Sequence, residues 1–136
     1  MTIQAMFAKL IVGDEEAEAA YYTAVYGLKL LQRLEGTTDG EPFREIILAI
    51  GDDMASGMLV MFNFTARPAP RDQQAILGFM TDDIDALAAR IVAYGGKLVG
   101  PIREEAGMRL VFATDPEGAL TENIQMMPPV RGNIPA

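Results

Sequence analysis

The sequence predicts an α+β fold made of two βαβββ units in tandem. A long segment occurs twice: AKLIVGDEEAEAAYYTAVYGLKL at 8–30 and LGFMTDDIDALAARIVAYGGKLV at 77–99. At a constant spacing of 69 residues the two share Asp14/Asp83, Ala17/Ala86, Ala19/Ala88, Ala20/Ala89, Ala24/Ala93 and Gly27/Gly96. A repeat of this length is a duplicated supersecondary unit rather than a turn of a solenoid. Each copy sets an aspartate before a helical pattern and a glycine after it. Turn clusters then divide the rest of each half into short apolar runs.

The first unit, about 5–64, opens with a mostly apolar run at 5–12 suited to a buried strand. Asp14 is a helix N-cap, and Glu15 and Glu16 in the first turn complement the helix dipole. The helix is expected to reach Tyr26, with Gly27 supplying a left-handed stop. Residues 28–34 read as a strand, 36–40 (GTTDG) as a turn, 43–50 as a strand, 51–57 as a turn and 58–64 as a fourth strand. Residues 65–74 begin TARPAPR, with two prolines and no periodic apolar face, and read as a linker.

The second unit, about 75–126, repeats the order. A strand at 75–81 leads to Asp82 or Asp83 as a cap. Ile84, Leu87, Ile91 and Tyr94 follow helical spacing, and Gly95-Gly96 ends the helix. Strands are expected from Lys97 to near Pro101, at 108–114 and at 119–126, with the DPEG turn at 115–118 between the last two. The tail 127–136 is expected to be loosely held or to lie across a partner subunit.

At 136 residues, half of them hydrophobic, the chain has enough apolar side chains for one domain-sized core. Each half is small for independent stability, so the halves are expected to associate or to swap between subunits. There is no cysteine, which removes disulfides, thiolate catalysis and cysteine-bound zinc. There is no histidine either, so a metal would need oxygen ligands, and a Ser-His-Asp set is impossible. A net charge of −8 argues against nucleic acid, which needs clustered Lys and Arg. The acidity suits solubility, or attraction of a cationic ligand. The opening MTIQAMFAKLIVGDEE lacks the basic start and long apolar core of a secretory signal, and no apolar run approaches a membrane span. The expectation is a cytoplasmic protein with no membrane contact.

The two βαβββ units, the repeated strand-Asp-helix-Gly signature in IVGDEEAEAAYYTAVYGLKL, and the turn and strand DPEGALTENIQ resemble the vicinal oxygen chelate superfamily. That group includes glyoxalase I, extradiol dioxygenases and the bleomycin-resistance proteins. The resemblance covers about residues 5–126. It implies a cupped eight-stranded sheet around a cavity, with the helices outside, and commonly a homodimer. It also implies metal ligands at four positions, here Phe7, Leu59, Ile76 and Glu122. Three of the four have no donor atom, and a divalent ion needs three or four protein ligands. The resemblance, with these departures, therefore implies no cofactor and no metal, in the manner of the bleomycin-resistance branch, and argues against metal-dependent glyoxalase and ring-cleaving activities.

Within that frame the candidate ligand-binding residues are Phe7, Lys9, Leu59, Met61, Asn63, Ile76, Met80 and Glu122. Strand alternation sets Leu120, Glu122 and Ile124 on one face. A carboxylate among apolar neighbours is costly unless paired or protonated. Glu122 is then either a ligand anchor or general base, or an ancestral ligand position left partly solvated. Lys9 and Ile11 share the face of Phe7; Lys9 either pairs with Glu122 or an anionic group, or reaches solvent. Met61 and Met80 offer a flexible, polarizable lining, and Asn63 an orienting amide or a strand-end hydrogen bond. Tyr21 and Tyr22 are expected in the core and on the surface. Arg67 and Arg71 are expected in a solvated loop.

The function expected is a glyoxalase/bleomycin-resistance-like protein with a metal-free apolar cavity for a small molecule, neutral or cationic. The alternative is a metal-independent lyase or isomerase with Glu122 as general base. In that case Lys9 or Asn63 would stabilise an enolate.

Overall fold

The computed structural model describes residues 2–128. The element order is βαβββ twice: β1 (Ala8–Ile11), α1 (Glu15–Tyr26), β2 (Lys29–Thr38), β3 (Glu41–Ala49) and β4 (Met58–Phe64), then β5 (Leu77–Met80), α2 (Ile84–Ala93), β6 (Lys97–Glu105), β7 (Met108–Thr114) and β8 (Leu120–Met126). The described chain divides into two compact units, with the boundary between Asp72 and Gln73. The strands hydrogen-bond as two four-stranded sheets, ordered β1-β4-β3-β2 and β5-β8-β7-β6, rather than as one eight-stranded sheet. In each, the first strand runs parallel to the fourth and the remaining pairs are antiparallel. The expected tail lies mostly outside the described residues.

The repeated aspartates do the same work in both units. Asp14 accepts from the Ala17 N–H and Asp83 from the Ala86 N–H, each at 3.0 Å, satisfying an N–H that the helix itself leaves open. Gly27 ends α1 at φ 70°, where a side chain would be strained. In α2 the buried residues are Ile84, Leu87, Ala88 and Ile91. Tyr94 falls past the helix end and is exposed, against the expectation from spacing.

Two strands run further than their sequence suggests. The expected turn at 36–40 narrows to Asp39 and Gly40, both at positive φ, so Thr38 pairs with Glu41 in a two-residue hairpin. Two positive-φ residues give the turn the twist that antiparallel strands require. Gly36 stays in β2 because the Phe43 ring lies over it, 3.3 Å from where a Cβ would stand. Likewise β6 continues past Pro101. Its pairing with β7 shifts between Val99 and Arg103, and this irregularity absorbs a residue that has no N–H to donate.

The register fixes which side of each sheet a residue occupies. In the first unit Leu10 pairs with Met61, Ile46 with Met61, and Leu48 with Leu59. These face α1, whose Ala19, Tyr22 and Val25 are buried. In the second unit Val111, Ala113, Thr121 and Asn123 share the side that carries α2. There Asn123 is fully buried and donates to the Val111 carbonyl and the Thr121 hydroxyl, both at 3.2 Å. No helix among the described residues is long and apolar enough to cross a membrane.

Candidate functional site

The helix-free face of the second sheet carries Glu122. Glu122 pairs with Phe112 on β7 and with Gly78 on β5. Ile124, paired with Leu110 and with Met80, is two residues along the same face, as is Leu120. Glu122 is half-buried. Among the described residues its side chain has no hydrogen-bond or ion-pair partner. Ile76 and Met80 lie at the edge of this face and are 53% and 72% exposed, so they offer apolar surface to solvent.

The helix-free face of the first sheet is different. Lys9 pairs with Val60, Ile11 with Phe62, Glu45 with Phe62 and Phe43 with Phe64. Lys9 Nζ donates to Glu45 Oε2 at 2.8 Å and stands 4.8 Å from the centre of the Phe62 ring. Its side chain is 41% exposed, whereas that of Glu45 is 8% exposed. Phe43 stacks on Phe62 at 4.7 Å, and Phe64 meets Phe62 edge-on at 4.8 Å. The Arg67 guanidinium lies 3.8 Å over Phe64 and pairs with Glu41. Lys9 therefore has its ion-pair partner within its own unit, at Glu45, a residue the sequence reading passed over.

Three predicted residues are on the other side of this sheet. Leu59, Met61 and Asn63 face α1 and are buried, so they do not share a face with Lys9. Asn63 Nδ2 donates to the Gly13 carbonyl and, at 2.8 Å, to Glu15 Oε1 at the helix start. The reason is one of phase. MLVMFNF is apolar nearly throughout and has no polar alternation to mark its faces, and a one-residue slip inverts every assignment. Phe7 and Ile76 each precede their strand by one residue and are about half exposed, at 52% and 53%.

Asn63 does have a charged neighbour. Burial works to raise the Glu15 pKa, but hydrogen bonds from Asn63 and Arg44 outweigh it and leave it below the usual value. Gln125, at the matching place in the second unit, accepts from the Ile84 N–H at 2.9 Å. Both amides tie a fourth strand to a helix start, which is structural work.

The register also corrects the fourth ligand position of the first unit. Lys9 pairs with Val60, and Gly78, 69 residues on, pairs with Glu122. The counterpart of Glu122 is therefore Val60 rather than Leu59. An open depression at the hairpin end of β2 and β3, lined by Glu35, Gly36, Thr37, Pro42, Phe43, Arg44 and Thr65, includes none of the predicted site residues.

The sequence profile of the Glyoxalase/Bleomycin resistance protein/Dioxygenase superfamily matches residues 4–122. The chain belongs to this superfamily. A glyoxalase family protein from Bacillus cereus superposes with a TM-score of 0.77 at 16% identity, covering 94% of this chain and 97% of its own. A glyoxalase/bleomycin resistance protein/dioxygenase family enzyme from Burkholderia phytofirmans gives 0.67 at 16% identity, over 89% and 97%. Glyoxalase I from Zea mays gives 0.70 at 25% identity, over 90% of this chain and 44% of that one. This chain thus spans less than half of the maize enzyme. No curated protein sequence matches significantly.

Carried over by this register, the four metal positions that the resemblance implies are Phe7, Val60, Ile76 and Glu122. Phenyl, isopropyl and sec-butyl groups have no donor atom, and one carboxylate does not make a divalent site. The residues present do not fit the metal of the metal-dependent members. Among the described residues there is no group of three or more His, Cys, Asp or Glu that could hold an ion.

Proposed function

We propose that this superfamily member binds a small, mostly apolar molecule without a metal, on the helix-free face of the second sheet, with Glu122 orienting a polar or cationic group. The observation that carries this reading is a half-buried carboxylate without a side-chain partner, set among Leu110, Phe112 and Ile124. A structural carboxylate in apolar surroundings is normally paired. The apolar neighbours and one unpaired acid match the composition of a ligand site, Arg103 on the same face being neutralised by Glu105, and the net charge of −8 favours a cation. The proposed form is a cytoplasmic homodimer, as the sequence and the superfamily lead one to expect.

A metal-independent lyase or isomerase with Glu122 as base is the second reading, favoured by the same unpartnered carboxylate. It needs an electrophile at the reacting carbonyl. Asn63, committed to Glu15 and Gly13 under α1, is withdrawn from that role. The test is a thermal-shift screen of apolar cations, followed by calorimetric titration of a hit against Glu122→Gln. Loss of a charge-assisted contact should weaken binding about tenfold or more. Equal affinity for both proteins would remove Glu122 from the site. Turnover of a hit in the presence of chelator would favour the enzyme.

A further inference from the structure

We infer that Glu18 is a proton-dependent latch between α1 and the first sheet: it seats the helix as a neutral carboxylic acid, and loss of its proton loosens the helix. This goes beyond the Glu122 reading and does not depend on it.

Glu18 lies on the buried stripe of α1, with Glu15, Ala19, Tyr22 and Val25. It is fully buried, and both carboxyl oxygens are out of reach of solvent. The helix packs on β2, β3 and β4, where Ile46, Leu48 and Met61 are buried in turn. The duplication shows what this place ordinarily holds. The residue 69 positions on is Leu87, buried in α2 beside Ile84, Ala88 and Ile91. The first unit thus sets an ionisable group where the second sets a leucine. A carboxylate at such a place is costly, and the protonated acid is much less so.

The charged groups around Glu18 favour the neutral form. One turn back on its own helix, Glu15 stays ionised: burial opposes its charge, but hydrogen bonds from Asn63 and Arg44 prevail. A second negative charge three residues on would be repelled by it. β3 contributes Arg44 to this side, and β2 contributes Arg33 and Glu35. Arg44 is bonded to Glu15 and Arg33 to Glu16, and both guanidinium side chains are more than half exposed, at the rim. β4 has no charged residue, and Lys9 of β1 is on the opposite side of the sheet with Glu45. Further along α1, Tyr21 meets Tyr22 edge-on at 5.2 Å and Tyr22 stacks on Tyr26 at 5.6 Å. Phenols are neutral below about pH 9. A carboxyl kept neutral by the fold has a folded pKa above its unfolded one. Its stabilisation is complete below the unfolded value and is lost as the pH rises through the folded one. That sign is opposite to the sign at Glu15, whose contribution is lost in acid.

The test follows the Glu18 carboxyl carbon by NMR of the full chain, beside urea denaturation of wild type and Glu18→Gln from about pH 5 to about pH 8.5. The Glu18 signal should titrate well above the ordinary glutamate range. Relative to Glu18→Gln, which is neutral at every pH, the wild-type unfolding constant should rise by up to about tenfold per pH unit until the carboxyl ionises. Amide exchange, corrected for its intrinsic rate, should show α1 losing protection over this range and α2 keeping it. Glu18→Leu, which copies the second unit and guards against a Glu18→Gln variant that fails to fold, should also remove the loss. Glu122→Gln should retain it. A Glu18 carboxyl that titrates in the ordinary glutamate range would overturn the inference. So would parallel pH profiles for wild type and a folded Glu18→Gln or Glu18→Leu. Equal loss of protection in α1 and α2 would overturn it too, because Glu18 would then not be a latch on one helix.

Discussion

The two units share one fold and place charge differently on their helix-free faces. In register, Lys9 of the first unit stands where the second has Gly78, Glu45 where it has Leu110, and Val60 where it has Glu122. The first unit thus holds a compensated Lys–Glu pair over phenylalanine rings. The second holds an exposed Arg103–Glu105 pair, with the guanidinium 5.8 Å from the centre of the Phe112 ring, and in addition the unpartnered carboxylate of Glu122. The helix sides are more alike: each has an aspartate cap and an amide reaching from the fourth strand to the helix start. Duplication has kept what folding needs on one side of the sheet, whereas the other side has diverged. That pattern is expected when the diverging face is the one that meets ligands.

The largest effect should come from breaking the conserved side. Leu48 is fully buried against α1, and its counterpart in the second unit is Ala113. Copying the second unit into the first with Leu48→Ala leaves a cavity and should cost about 2–5 kcal/mol in urea denaturation. A cost under about 1 kcal/mol would mean that the two cores are interchangeable, contrary to this account.

Next is the charged pair. Lys9→Met leaves the Glu45 carboxylate buried without its cation. After allowance for the exposure of Lys9, the expected loss is about 1–3 kcal/mol. Adding Glu45→Leu gives the face the aliphatic residue of the second unit and should return stability to within about 1 kcal/mol of wild type. A double variant less stable than the single would show that Glu45 has a further structural partner.

The pH dependence sharpens the contrast between helix starts. Glu15 begins α1, and the matching residue of α2 is the uncharged Ile84. Because the folded pKa of Glu15 is depressed, its contribution is complete above the unfolded value near 4.5 and is lost as the pH falls through the lower folded value. Asp85 in the first turn of α2 is also held below its usual value, by Arg109, but its side chain is exposed and solvent screens the pair, so hydrogen exchange should show α1 losing more protection in acid than α2. Asn63→Ala should remove about 1–2 kcal/mol near neutrality and flatten that acid loss. Equal acid loss in both helices would contradict the assignment.

The smallest effect on stability should be at Glu122. Replacing a half-buried, unpartnered carboxylate by Gln should change stability by no more than about 0.5 kcal/mol, while ligand affinity falls. A much earlier melt with normal binding would make Glu122 structural.

The sequence disclosed the architecture because its strongest signals are local and repeated. The capping aspartates, Gly27 and the DPEG turn each specify a backbone conformation by themselves, and the spacing of 69 residues joined them into two copies of one motif. The β2–β3 hairpin was less legible. GTTDG looks like a five-residue turn until Phe43 is seen covering Gly36, a contact between strands that no short window reveals. The face assignments of β4 failed for a related reason: an apolar run specifies a buried strand but not which side is which. Asn63, the one polar residue in that run, was the available signal, and it marks the helix side by bonding to Glu15. Glu45 escaped notice because its partner Lys9 is 36 residues away and is brought beside it only by the placing of β4 between β1 and β3.

The central proposal, that this superfamily member works without a metal, is tested most directly by elemental analysis. The protein should be purified without chelator, exposed to zinc, nickel, manganese and iron(II) in turn, and freed of excess by gel filtration. With Phe7, Val60 and Ile76 at three of the four ligand positions, the account predicts no more metal than a protein of unrelated fold carries through the same procedure. About one tightly held ion per chain would contradict it.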